Sequence, residues 1–167
     1  MTNRTEYMYG DLEHLGSADQ YMDEILEMIH QISLFDGFNQ AEVITLCQHM
    51  TCYAAPSNYT LLQEGTAGAG LLLVLTGAAQ EVGALDAPAT EVSAGTALGE
   101  ASFMDGKPNL NSYIATVPLD FAVLTREGLN AILLEAPRLG NKLLLRLGQL
   151  IAGRLREVSR QLIPTTA

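Results

Sequence analysis

Basic side chains are nearly missing from the first three quarters of this 167-residue chain. Residues 1 to 125 hold 2 Lys or Arg against 16 Asp or Glu, and residues 126 to 167 hold 7 against 3. The body is therefore formally −14 and the tail +4, within an overall charge of −10. Nucleic-acid affinity rests largely on Lys and Arg displacing counterions from the phosphate backbone. An acidic body opposes it, so no nucleic-acid partner is expected. Long hydrophobic runs are also missing: the longest nearly apolar stretch, Ala67 to Ala79, is broken by glycines and falls well short of the roughly 20 residues that span a bilayer. The N-terminus, MTNRTEYMYGDLEHLG, has no apolar core of signal-peptide length. The expectation is a soluble, cytoplasmic protein without a membrane partner. Cysteine is limited to Cys47 and Cys52, five apart, for which reduced thiols are the default. With His49 between them they make three possible ligands without a fourth, at no common zinc spacing, so no metal is expected. Ser102 lies in no nucleophile elbow, and the three histidines have no acid or nucleophile at motif spacing. Neither catalysis nor a cofactor is expected.

What remains is apolar enough, at 48% hydrophobic residues, for one well-buried core. Met1 to Gly16 is polar and without period, and reads as a flexible arm preceding one domain over 17–167. Met22, Ile25, Leu26, Ile29 and Ile32 recur at helical spacing after Ser17, predicting a helix from about Ala18 to Ile32. Asn39 with Glu42 fits a capping box for a second helix with an apolar face at Val43, Ile44, Leu46 and Met50, so helices occupy 18–50. From 52 to 124 short runs of branched, aromatic or apolar residues alternate with turn residues such as Pro56-Ser57-Asn58, Thr76-Gly77 and Asp86-Ala87-Pro88. The strands read from them are Cys52 to Ala55, Tyr59 to Gln63, Gly70 to Leu75, Ala79 to Val82, Thr90 to Val92, Asn111 to Thr116 and Phe121 to Leu124. Many short strands of this kind predict a barrel or jelly roll. Leu71 to Leu75 is apolar throughout, as a strand buried on both faces would be. C-terminal helices fill 126–162: a short one from Arg126 to Leu134, then a long one from Leu139 to Leu162. Leu144, Leu147, Ile151, Leu155, Val158 and Leu162 form a stripe on the long helix, close to a coiled-coil seam. The stripe is wider than a small barrel requires. Leu144, Leu147, Ile151, Leu155 and Val158 are therefore expected at a homodimer interface.

The stretch Leu98 to Thr116, LGEASFMDGKPNLNSYIAT, carries the chemistry. A Gly-Glu pair opens one short helical turn, and Gly106 with Pro108 closes it before the strand from Asn111. First-turn amides lack helical partners and suit an anion, Gly99 lets a ligand approach the backbone, and Glu100 can accept hydrogen bonds from sugar hydroxyls. This is a phosphate-and-ribose pattern. The segment resembles the phosphate-binding cassette of the cyclic-nucleotide-binding domain, the sensor module of catabolite activators, kinase regulatory subunits and gated channels. In that family the pattern runs roughly Phe-Gly-Glu, a few apolar residues, then Pro-Arg-(Ser/Ala)-Ala-Thr. Leu98-Gly99-Glu100 and Pro108 match without a gap, whereas the phosphate-binding Arg falls on Asn109, its Ser/Ala neighbour on Leu110 and the next small residue on Asn111. The resemblance extends over about Leu34 to Leu162, including Gln63-Glu64-Gly65 and Leu73-Val74-Leu75-Thr76-Gly77.

The resemblance implies a mainly β fold, a jelly-roll barrel with N-terminal helices and a long C-terminal helix. In the transcription-factor branch a helix-turn-helix would follow, while here only Ile163 to Ala167 remain. The function it implies is a stand-alone regulatory module that acts through contacts with a protein partner. By that likeness Glu100 takes a ribose hydroxyl, the amides of Ala101 and Ser102 the phosphate, and Leu71, Leu73 and the C-terminal helix the base. Gly99, Asn109, Leu110 and Asn111 complete the ligand-binding set. A neutral Asn109 in place of Arg weakens or alters cyclic-nucleotide binding. The alternatives are a ligand-free interaction scaffold and a sensor of another ligand, such as a cyclic dinucleotide held by Asn109 and Asn111.

Overall fold

The apolar run at Leu71–Thr76 owes its composition to its place between two layers of core. The structure, a computed structural model, describes residues 9–68, 70–83 and 89–164. Residues 1–8 of the expected arm and the Asp86-Ala87-Pro88 turn lie outside the described residues. The strands are β1 (Glu13–Ser17), β2 (Met50–Ala55), β3 (Thr60–Leu62), β4 (Leu71–Thr76), β5 (Ala78–Val82), β6 (Thr90–Ser93), β7 (Ala97–Leu98), β8 (Ser112–Ala115) and β9 (Leu119–Leu124). The helices are α1 (Met22–Glu27), α2 (Gln40–Gln48), α3 (Glu100–Asp105), α4 (Arg126–Glu135) and α5 (Pro137–Leu162). Two antiparallel sheets result, in the orders β1-β2-β9-β4-β7 and β3-β8-β5-β6. This is the jelly roll with flanking helices and a long C-terminal helix that the sequence predicts.

Side chains alternate along a strand, and β4 uses both sides. Leu71, Leu73 and Leu75 pack under the helices with Ile25, Leu46, Leu143 and Leu147. Leu72 and Val74 point the other way, between the sheets, with Tyr53, Leu98 and Phe121. The turn after β4 depends on Gly77, whose φ is +78° and where a Cβ would lie 2.5 Å from the Pro118 carbonyl oxygen. A side chain has no room there. The capping box is present as read, with Asn39 and Glu42 exchanging bonds at 2.9 Å.

Two expectations near the N-terminus are corrected. Residues 9–16, read as part of a flexible arm, are built into the fold: β1 pairs with β2, and Tyr9 is buried against Tyr53 and Phe121, donating its hydroxyl to the Leu61 carbonyl at 2.9 Å. The polar composition hid this because one aromatic ring anchors the segment and the backbone ladder does the rest. The single helix expected from Ala18 to Ile32 is three pieces, a 3-10 turn at Ala18–Tyr21, α1, and a 3-10 turn at Ile29–Gln31. The periodicity correctly marks Ile25 and Ile32 as buried. It carries no information on where bonds tighten to the 3-10 pattern, as they do from Gln31 to Met28 and from Ile32 to Ile29.

The stripe on α5 divides along its length. Leu143 and Leu147 are buried in the helical layer, and Leu144 and Leu150 pack partly against it. Leu147 is wholly enclosed, and this corrects its expected place in a dimer seam. Leu155, Val158 and Leu162, by contrast, are 66%, 53% and 77% exposed. The basic tail is turned toward the acidic body. Lys142 reaches Glu42 at 2.6 Å, Arg146 reaches Asp36 at 2.8 Å and the Ser33 carbonyl at 2.7 Å, and Arg126 donates to the Phe103 carbonyl at 2.6 Å. Part of the tail's positive charge thus pairs with carboxylates of the body.

Candidate ligand-binding site

The site begins where β7 runs into α3. Gly99 joins them at φ +77°, and a Cβ there would meet the Gly70 carbonyl oxygen and Leu62 Cδ1, both at 3.1 Å. Only glycine takes that conformation without strain. The turn sends Glu100 inward, where it is 3% exposed although it is a carboxylate. Arg154 of α5 meets it: Nη1 lies 2.7 Å from Glu100 Oε1, and Nη2 donates to the Ala97 carbonyl at 3.0 Å. Glu100 Oε2 has no hydrogen-bond partner. Burial pushes the Glu100 carboxyl above the usual range, and the Arg154 charge pulls in the opposite direction.

Asn109 is positioned by a backbone exchange between two loops. The Gly65 amide donates to the Asn109 carbonyl and the Asn109 amide to the Thr66 carbonyl, each at 2.9 Å. Ser112 Oγ accepts from the Glu64 amide. The Gln63-Glu64-Gly65 motif therefore serves the site by holding the loop that carries Asn109. Asn109 Nδ2 donates to the Gln63 carbonyl at 3.4 Å, which leaves Oδ1 buried and unpartnered. On the facing wall Glu81 Oε1 accepts from Asn111 Nδ2 at 2.5 Å and from the Tyr113 hydroxyl at 2.9 Å. Burial, followed by the Glu81 charge, raises the Tyr113 pKa further above its ordinary value.

Together these groups enclose a cavity of about 610 Å³, of the size that holds a small organic ligand. Gly99, Glu100, Ala101, Ser102, Asn109, Leu110 and Asn111 all line it. Leu71 and Leu73 do not, which corrects their expected role: they face the helices from β4, and Leu62 and Val92 supply apolar wall instead. Of the expected dimer residues, Ile151, Leu155 and Val158 form the side of the cavity contributed by α5. Sequence reasoning missed Arg154, Glu81 and Tyr113. Glu81 and Tyr113 meet only through the register of β5 on β8, and Arg154 lies 54 positions from Glu100, so no local motif marks them.

Among the described residues no group of three or more His, Cys, Asp or Glu is placed to hold a metal. Cys47 and Cys52 are free and buried, and burial pushes both thiols up to about 12, so they stay protonated and weakly nucleophilic. Among the described residues no helix is long and apolar enough to cross a membrane.

No protein-family model and no curated protein matches the chain. Solved structures do. A cyclic nucleotide-binding domain from Methylobacillus flagellatus is 43% identical over 100% of this chain and 97% of that one, with a TM-score of 0.82. The catabolite activator protein of Thermus thermophilus is 25% identical, with 78% of this chain and 61% of that one aligned at a TM-score of 0.68. The regulatory domain of Toxoplasma gondii PKA, solved with cAMP, shares the fold at 16% identity and a TM-score of 0.63, over 84% of this chain and 50% of that one. The Gly99-Glu100 turn frames a cavity, the barrel and long helix enclose it, and the first of these matches is whole-length; the chain belongs to the cyclic-nucleotide-binding domain family.

Proposed function

We propose that this protein is a regulatory module that binds a small molecule under α5 and signals by changing its contacts with a protein partner, with cyclic mononucleotides held only weakly. The observation that carries this reading is Asn109: the cavity is open, and the side chain at the place of the family's phosphate-binding arginine is uncharged and buried. A hydrogen bond to a charged group contributes about 1.5–3 kcal/mol, so the change from Arg lowers affinity for a cyclic phosphate by about tenfold to a few hundredfold. Coupling to α5 follows from Glu100, since a ligand hydroxyl that engages this carboxylate acts on the same group that Arg154 of α5 holds. Calorimetry with cyclic AMP, cyclic GMP and a cyclic dinucleotide tests the reading, with Asn109→Arg expected to strengthen mononucleotide binding. Tight binding by the wild type contradicts it.

The Arg154–Glu100 pair also favours a second reading, a ligand-free scaffold, because it supplies Glu100 with a counter-charge from within the chain. In that case no compound binds and Asn109→Arg gains nothing. For self-association, the proposed seam is now Leu155, Val158 and Leu162, the exposed end of the α5 stripe. Light scattering that gives a dimer for the wild type and a monomer for Val158→Asp supports the seam, and a wild-type monomer ends it.

A further inference from the structure

We propose that the groove between β6 and the distal half of α5 binds an extended segment of a partner protein, one in which apolar residues alternate with Lys or Arg. The proposal rests on the reading above that the protein acts through a protein partner, and it names that partner's binding element. β6 is the last strand of its sheet, and among the described residues it pairs with β5 only. Half of its backbone amides and carbonyls therefore point away from the ladder, as on any edge strand. All four of its residues, Thr90, Glu91, Val92 and Ser93, line the cavity under α5. Successive side chains of a strand point to opposite faces, so a cavity lined by four in a row looks onto the strand's edge and not onto one face. An open edge of this kind takes up a further strand through main-chain hydrogen bonds.

The opposite wall is apolar and of matching length. Ile151, Leu155 and Val158 fall at helical spacing on α5, and the last two are more than half exposed. From Ile151 to Val158 the helix rises about 10 Å, and the residues of β6 span about 13 Å. A short extended segment therefore meets both walls along its length. Arg154 ties this part of α5 to Glu100 and the Ala97 carbonyl and makes neither bond to β6. The two faces of β6 differ in chemistry. Val92 is buried with the apolar residues between the sheets, whereas Glu91 points the opposite way and is exposed. A strand added at this edge alternates in the same manner, apolar on the side of Val92 and cationic on the side of Glu91. Glu157 of α5, exposed and 3.6 Å from Arg160, adds another carboxylate to the wall, within a body that is formally −14 over residues 1 to 125. The charge of the groove thus selects a basic segment over an acidic one.

The test is selection of a display library of random short peptides on the full chain, followed by calorimetry with the most enriched peptide and hydrogen exchange of the β6 amides. Enriched sequences are expected to alternate apolar residues with Lys or Arg, and the bound peptide to slow exchange within Thr90–Ser93. Val158→Asp is expected to weaken binding about tenfold or more, since a buried apolar contact becomes an unpaired charge. Glu91→Lys is expected to reduce the preference for basic residues. Both side chains are exposed in the free protein, so the fold does not depend on them. Peptides that bind without responding to either substitution overturn the proposal and leave the protein-partner reading standing. Enriched sequences with apolar residues at i and i+4 that leave the β6 amides unprotected assign the groove to a helix and also overturn it. A wild-type dimer in which those amides are already protected gives the groove to a second copy, with the same result. If no peptide of any pattern is enriched, the proposal and the reading it rests on fail together.

Discussion

Removing Arg154 tests the electrostatics of the site directly. In Arg154→Ala the buried Glu100 carboxylate loses the guanidinium 2.7 Å from Oε1, and the Ala97 carbonyl loses a 3.0 Å donor. Bonds to charged groups contribute about 1.5–3 kcal/mol, but the Arg154 side chain is 47% exposed and part of that is screened by solvent. A loss of about 1–2 kcal/mol at neutral pH follows, or about 2–8 °C in Tm for a domain of this size. The sign of the pH dependence is fixed by Glu100, whose carboxyl is raised by burial and lowered by Arg154. A raised carboxyl contributes stability that is complete below its unfolded value and is lost as pH rises through the folded one. Without Arg154 the folded value rises further, so the penalty of the substitution is greatest at neutral pH. It shrinks toward the Ala97 bond alone as pH falls below the ordinary glutamate value of about 4.3. Thermal unfolding of wild type, Arg154→Ala, Glu100→Gln and the double variant across that range is the assay. Glu100→Gln alone should raise Tm at neutral pH, and Arg154→Ala should cost little in its background. A penalty that is the same at every pH, or undiminished in the double variant, refutes the pairing as the cause.

Other substitutions separate core from surface. Leu147→Ala removes a fully buried side chain and should cost about 2–5 kcal/mol, whereas Leu155→Ala at 66% exposure should stay within about 0.5 kcal/mol; urea unfolding that shows equal losses would contradict the division of α5. Tyr9→Phe deletes the bond to the Leu61 carbonyl for about 0.5–1.5 kcal/mol, and Tyr9→Ala also empties the ring site for about 3–5 kcal/mol. Protease resistance of residues 9–17 should fall with the alanine variant only, and an unchanged stability would return the segment to an arm. Gly77→Ala drives a Cβ against the Pro118 carbonyl at a left-handed φ, so its unfolding free energy should drop by more than the roughly 0.4–1 kcal/mol that alanine gains over glycine at a compatible site.

The local pattern of the sequence determined the elements. The full apolar run of β4, the Asn39–Glu42 box, the stop signals around the short helix and the Gly99-Glu100 pair are all set within a few residues of one another, and all appear in the structure. The same holds for the cassette lining residues, because one short turn and the loop after it carry them to one wall. Tertiary structure decided whatever depended on residues far apart. No β4 side chain reaches the cavity, because strand alternation combined with the side the helices cover turns Leu71 and Leu73 into the helical layer and Leu72 and Val74 between the sheets. β1 needed β2 as its partner, and its polar sequence gave no sign of it. The stripe on α5 looks uniform in sequence, yet only its first part packs into the helical layer, so Leu147 is core while Leu155 and Val158 border the cavity. Arg154 is the strongest case. A charge 54 positions away pairs with Glu100 only because α5 folds back across the site, and electrostatic partnership depends on distance in space, to which sequence separation is no guide.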